Sequence, residues 1–96
     1  MAATTGTATV DFGSTPVSEA SIAVTGQGGI LTTSKVEAWV QEESTAGNST
    51  TAHKALAFIA RCYCRALVAG TGFTVDVLLM EGALATGTFK VEWVWS

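Results

Sequence analysis

Two segments near the C-terminus, residues 70–80 and 87–96, alternate apolar and polar side chains. This alternation constrains the fold more than any other feature of the chain. A period of two is typical of β-strands with one buried face, and a glycine-bearing turn joins the two segments. The tail therefore predicts two strands of an all-β protein, whose apolar faces carry Phe73, Val75, Val77 and Leu79 in the first segment and Phe89, Val91, Trp93 and Trp95 in the second.

Residues 7–12, 19–25 and 34–43 show the same alternation, and turn residues separate these segments. Strands with turn signals roughly every 8 to 12 residues are typical of sandwiches and barrels. The sequence therefore predicts a small antiparallel β-sandwich or barrel of about six to eight strands. At 96 residues the chain is expected to form one domain over residues 1–96, with residues 1–6 as a flexible N-terminal arm.

The side-chain pattern of residues 53–69 fits both helical and strand spacing. Helical spacing relates Leu56, Ile59, Tyr63 and Leu67, with Gly70 as a C-cap, whereas strand spacing relates Phe58, Ala60, Cys62, Cys64 and Ala66. Aromatic and β-branched residues favour the strand, and a short helical turn is expected near residues 52–56. Whether residues 52–67 are strand or helix stays open. The polar run 42–51 before them is expected to be a surface loop.

Charge excludes several partners. Five Lys and Arg residues stand against eight Asp and Glu residues, for a net charge of −3, and no basic cluster occurs. A reader of the phosphate backbone needs such a cluster, so we expect no nucleic-acid binding. Charged residues interrupt every apolar run, so no membrane contact is expected. Residues 1–7 lack the basic and apolar regions of a secretory signal, which predicts synthesis and residence in a cytoplasm.

Few residues could carry chemistry. His53 is the sole histidine, and Cys62 and Cys64 are the two cysteines. On an extended strand about 30 Å would separate His53 from Cys62, which is too far for a nucleophile and its base. The two cysteines would share a strand face in poor geometry for a disulfide, and they are interpreted as free thiols. We therefore expect no enzymatic activity, no catalytic residues, no cofactor and no metal site.

Interface candidates are more numerous. Hydrophobic residues make up 48% of the chain and charged residues 14%, so part of the apolar surface is expected to meet another chain. Trp39 falls on the polar face of its strand, where it is a contact residue or is covered by a loop of its own chain. Arg61, Tyr63 and Arg65 share a strand face, and the arginines could serve an interface or form intrachain ion pairs. Trp95 completes the candidate interface.

Residues 10–13, 19–27, 36–40, 69–75 and 91–95 together resemble a small β-rich module of virion proteins from tailed bacteriophages. The resemblance covers residues 8–95. It implies a non-enzymatic structural protein of the virion, made in the host cytoplasm. This protein would be a capsid decoration (cement) protein or a tail-associated protein, and it would bind major capsid or tail proteins as a homo-oligomer such as a trimer.

A second interpretation is a tail- or fibre-associated β-sandwich that binds carbohydrate or a receptor. In that case Trp39, Tyr63 or Trp95 would stack on sugar rings. Exposed aromatic side chains beside a groove would favour this interpretation, whereas aromatic side chains buried at a subunit contact would favour the capsid lattice.

Overall fold

A computed structural model describes residues 3–40, 45 and 48–96 of the chain. These residues form two three-stranded antiparallel sheets and one helix, which confirms the predicted small all-β fold. The sheet orders are β1-β6-β3 and β2-β5-β4. The elements in chain order are β1 (Thr4–Asp11), β2 (Glu19–Val24), β3 (Val36–Val40), α1 (Thr50–Ile59), β4 (Ala60–Val68), β5 (Gly72–Leu79) and β6 (Thr88–Trp95).

The hydrophobic core lies between the two sheets and is filled from their inward faces. The middle strands β5 and β6 contribute the largest share, as the alternation in the tail predicts. Burying one such side chain stabilises the fold by about 1.5 to 3 kcal/mol. The core side chains with no exposure to solvent are Val10, Ile30, Val75, Val77 and Val91.

The two strands of the tail do not pair with each other. β5 is the middle strand of one sheet and β6 is the middle strand of the other, so the segment between them crosses the sandwich. An isolated antiparallel bridge between Val17 and Ala85 fixes this crossover. β3 and β4 are the outer strands of the two sheets on the same side of the sandwich, where they approach each other.

The N-terminal strand begins earlier than predicted. Residues 4–6 were expected to belong to a flexible arm, but Thr4 pairs with Trp95 and Gly6 pairs with Trp93. The expectation is therefore wrong for these residues. The missing side chain at Gly6 explains the pairing, because a Cβ atom there would lie 2.3 Å from Cζ2 of Trp93. The indole ring packs where that side chain would stand.

The ambiguous segment is a helix followed by a strand. The helical turn expected near residues 52–56 lies within α1, the strand prediction is wrong for residues 57–59, and it is right for residues 60–68. The Ser49 hydroxyl caps α1 by accepting from the Ala52 backbone N–H at 3.2 Å. Alanine and leucine then favour the helix until Ala60, whose backbone N–H donates to the Leu56 carbonyl.

A β-bulge changes the register near the end of β4. Ala66 has a φ of 57°, so it turns outward, and Leu67 takes the inward position that the alternation gave to Ala66. In the predicted loop 42–51, Thr50 and Thr51 begin α1 instead. Residues 42–44, 46 and 47 of that loop lie outside the described part of the chain.

Candidate functional site

A groove runs along the side of the sandwich where β3 and β4 approach each other. Its volume is about 530 Å³, and we call it the edge groove. Trp39 comes from β3 and Tyr63 from β4, so the fold brings two of the predicted interface residues to one site. The complete lining consists of Val36, Glu37, Ala38, Trp39, Cys62, Tyr63 and Cys64.

Both aromatic side chains of the edge groove are accessible. Trp39 is 42% exposed and Tyr63 is 55% exposed. Each lies on the outward face of its strand, because the inward positions Val36, Ala38 and Cys62 alternate with them. Trp39 therefore stands on the polar face that the sequence predicts, and no loop among the described residues buries it. Each ring is available to a ligand.

Arg61 and Arg65 lie on the same outward face of β4 as Tyr63. The Arg65 guanidinium donates from Nε to the Asp76 carboxylate on the neighbouring strand β5. This hydrogen bond, and then the negative charge of Asp76, raise the pKa of Arg65 above its usual value. Because the Arg65 side chain is 57% exposed, the pair contributes little to stability. The intrachain alternative therefore holds for Arg65.

Trp95 is separate from the edge groove. Its indole Nε1 donates to Oε1 of Gln27 at 2.9 Å, and the side chain is half-buried. It lies on the inward face of β6 and lines a smaller depression with Lys35 and Ser96. The hydrogen bond fixes the ring against the loop that precedes β3. The structure thus does not bring Trp95 together with Trp39 and Tyr63.

The two cysteines of the edge groove are free thiols, as predicted. Burial, followed by the neighbouring Cys64, raises the pKa of Cys62 from 9.0 to about 11. Burial is also the main cause that raises the pKa of Cys64, and the charges of Glu37 and Asp76 add to it. Only a thiolate is an effective nucleophile. Both side chains therefore stay protonated and unreactive near neutral pH.

We expect folded Cys62 to react with iodoacetamide at about pH 8 roughly 100-fold more slowly than Cys62 of the urea-unfolded chain. The folded chain holds this proton more tightly, so the Cys62 contribution to stability is complete below about pH 9 and is lost towards about pH 11. Mass spectrometry of the alkylated peptide measures both rates. Equal rates in the folded and unfolded chains would contradict the described burial of Cys62.

His53 has a structural role at the centre of the molecule. It is completely buried in α1, and its ring packs on Phe89 with centroids 4.9 Å apart. The Lys90 backbone N–H donates to Nε2 at 2.9 Å, so Nδ1 carries the proton and donates to the Ser49 carbonyl at 2.9 Å. Both ring nitrogens are thus occupied, and the ring ties α1 to β6 just beyond the end of β3.

Residues before α1 add to this anchor. The Asn48 side-chain amide donates to the carbonyls of Thr86 and Thr88, at 3.1 and 2.9 Å. The Thr45 hydroxyl donates to the Thr88 carbonyl at 2.8 Å. These bonds satisfy the carbonyl groups of Thr86 and Thr88, just before β6 and at its start. This part of the chain extends past the end of the partner strand β3. The helix is therefore held to the sheet by polar contacts at its N-terminal end.

An apolar surface on α1 was not expected from the sequence. Strand spacing groups Phe58 with small side chains and thiols on one face, but on the helix its side chain is 86% exposed. Ala55 lies one turn before it, and a shallow depression joins Ala55 and Ile59 to Leu84, which is 61% exposed. We call Ala55, Phe58, Ile59 and Leu84 the helix patch. Helical spacing of residues 55–59 was the signal that could have indicated it.

No protein-family model, no curated protein and no solved structure matches this chain. Among the described residues, no group of three or more His, Cys, Asp or Glu side chains could hold a metal ion. Within residues 3–40, 45 and 48–96, no helix combines the length and the apolar character needed to cross a membrane. The helix patch and the edge groove are the candidate functional surfaces among the described residues.

Proposed function

We propose that the protein is a non-enzymatic structural component of a bacteriophage virion, a capsid decoration protein that binds the capsid lattice as a homo-oligomer. The observation that carries this proposal is the helix patch, in which Phe58 is 86% exposed. Large aromatic side chains in the open are unfavourable in water, and they are enriched among the residues that dominate protein interfaces.

The anchoring of α1 supports a contact role for Phe58. A capped helix tied to β6 by His53 holds the backbone of Phe58 in a defined place before any partner binds. Preorganisation of this kind lowers the entropy cost of association. Covering an exposed phenylalanine stabilises an assembly by about 1.5 to 3 kcal/mol. The helix patch thus suits repeated contacts between copies of one small protein.

The composition supports the same proposal. Only 14% of the residues are charged, and further large apolar side chains are exposed outside the helix patch, among them Val68 and Met80. A specific interface needs about 1,000 Å² of buried surface in total, which is more than the helix patch supplies alone. A lattice protein that contacts both its own copies and a capsid protein would cover several of these side chains.

We expect Phe58→Ser to lower the oligomeric state of the protein. The serine removes the most exposed large apolar side chain of the helix patch and should weaken self-association at least about tenfold. Light scattering coupled to size-exclusion chromatography measures the mass of the particle. The stability of the monomer should change little, because the Phe58 side chain is mostly in solvent.

Leu31→Ser is the matched control, because Leu31 is 59% exposed but lies in the loop before β3, away from α1. This variant should keep the mass of the unaltered protein. If Phe58→Ser and Leu31→Ser both keep the oligomer intact, the helix patch is not the contact between copies. Co-sedimentation with empty capsids of the virus of origin tests the lattice part of the proposal.

A further inference from the structure

The free edge of β3 presents unpaired backbone groups to the edge groove. The backbone groups of Lys35 and Ser96 bond to each other in both directions at 3.0 Å, which marks them as a hydrogen-bonded pair. In an antiparallel ladder such pairs occur at every second residue, so Glu37 and Trp39 bond to β6. The backbone N–H and C=O groups of Val36 and Ala38 therefore point away from β6, into the edge groove.

The free edge of β4, in the other sheet, also presents unpaired backbone groups to the edge groove. The Met80 backbone N–H donates to the Ile59 carbonyl at 2.9 Å. Hydrogen-bonded pairs recur at every second residue of an antiparallel ladder, so Arg61 and Tyr63 form such pairs with β5. The backbone groups of Cys62 and Cys64 therefore point away from β5, towards those of β3. Two rows of donors and acceptors thus line one groove.

A third strand does not fit between these rows. A strand inserted between two others needs a separation of about 9.6 Å between them, twice the usual spacing of paired strands. The Cα atoms of β3 and β4 come within 8 Å of each other. An extended polypeptide therefore cannot pair with both edges at once. A pyranose ring is no narrower than a strand, so a sugar would lie across the mouth of the edge groove and reach the two rows with its hydroxyl groups.

The side chains of the edge groove add stacking surfaces. Trp39 stands on one side and Tyr63 on the other, both partly exposed. Aromatic rings offer flat apolar faces that match the C–H faces of a pyranose ring. The Glu37 carboxylate also lines the edge groove and accepts hydrogen bonds. Among the described residues, Glu37 is the one charged residue in the lining of the edge groove, and its negative charge disfavours acidic ligands.

We infer that the edge groove binds a short neutral oligosaccharide across its mouth, with sugar rings against Trp39 and Tyr63 and hydroxyl groups on the free backbone groups of Val36, Ala38, Cys62 and Cys64. This site is distinct from the helix patch and does not depend on the oligomeric state. It adds ligand recognition to a protein whose proposed function is structural.

Titration of the isotope-labelled protein with maltotetraose, cellotetraose and chitotetraose, each up to about 10 mM, tests the inference. We expect at least one sugar to shift backbone amide signals of residues 36–39 and 62–64 in nuclear magnetic resonance spectra. Trp39→Leu and Tyr63→Leu keep apolar bulk without a ring, and each should weaken binding about five- to tenfold. Both residues are largely outward, so thermal unfolding of the variants should match that of the unaltered protein.

Phe58→Leu is the control, because it removes an exposed aromatic ring that lies outside the edge groove, and it should leave sugar binding unchanged. Absence of shifts with all three sugars would overturn the inference. Shifts spread over the surface, or equal weakening by Phe58→Leu, would do the same. Loss of oligomers in Phe58→Ser together with intact sugar binding would separate this site from the proposed assembly contact.

Discussion

Gly72→Ala is expected to lower the free energy of unfolding by more than about 4 kcal/mol, most of the stability of a small domain. Gly72 begins β5, directly beside β2. A Cβ atom at this position would lie 1.8 Å from the carbonyl oxygen of Val24 and 2.8 Å from its carbonyl carbon. Because the obstacle is backbone, no side-chain rotation relieves the clash. Urea unfolding followed by circular dichroism measures the loss.

Gly28→Ala provides the matched control. Nothing lies within 4 Å of a Cβ atom at Gly28, and its φ is not in the left-handed region. This variant should stay within about 1 kcal/mol of the unaltered protein. If Gly72→Ala unfolds at the same urea concentration as Gly28→Ala, then β2 and the start of β5 are not in the close contact described.

His53→Ala is expected to cost about 2 to 4 kcal/mol of stability. The substitution leaves a cavity beside Phe89 and deprives the Lys90 backbone N–H of its acceptor. The helix also loses its tie to β6, so the loss of helical signal should accompany or precede the loss of the sheets. Thermal unfolding at two circular dichroism wavelengths follows both transitions.

His53→Gln distinguishes the contribution of the hydrogen bond to stability from the contribution of packing. Its side-chain Oε1 can reach the position of Nε2 and accept from Lys90, so this variant should recover about 1 kcal/mol relative to His53→Ala. If alanine and glutamine destabilise the protein equally, the bond to Lys90 adds nothing to stability. If neither variant is destabilised, His53 does not anchor the helix.

The inward faces of the strands could be predicted from local patterns. Alternation alone identifies Val10, Val75 and Val91 as core residues, because the side-chain period of a strand is two and needs no knowledge of its neighbours. The pairing of Gly6 with Trp93 could not be found in this way. A threonine-rich strand with little apolar content depends on its partner strand for stability.

The two surfaces differ in how far the sequence indicates them. Trp39 and Tyr63 were both assigned to outward strand positions, but their shared groove depends on a sheet order that places β3 and β4 on the same side of the sandwich. Local sequence patterns do not indicate that order, because it depends on pairing between strands that are far apart in the chain. Phe58 was missed for a local reason, because residues 53–59 fit strand and helix spacing alike and the choice of a strand turned Phe58 inward.

Co-sedimentation of the protein with empty capsids and with isolated tails of the virus of origin tests the central claim most directly. We predict that the unaltered protein pellets with capsids at a fixed ratio to the major capsid protein, and that its free form has a mass that is a multiple of 9.9 kDa. A 9.9 kDa monomer that pellets with neither capsids nor tails would contradict the proposed virion role. Binding to tails alone would contradict the capsid location.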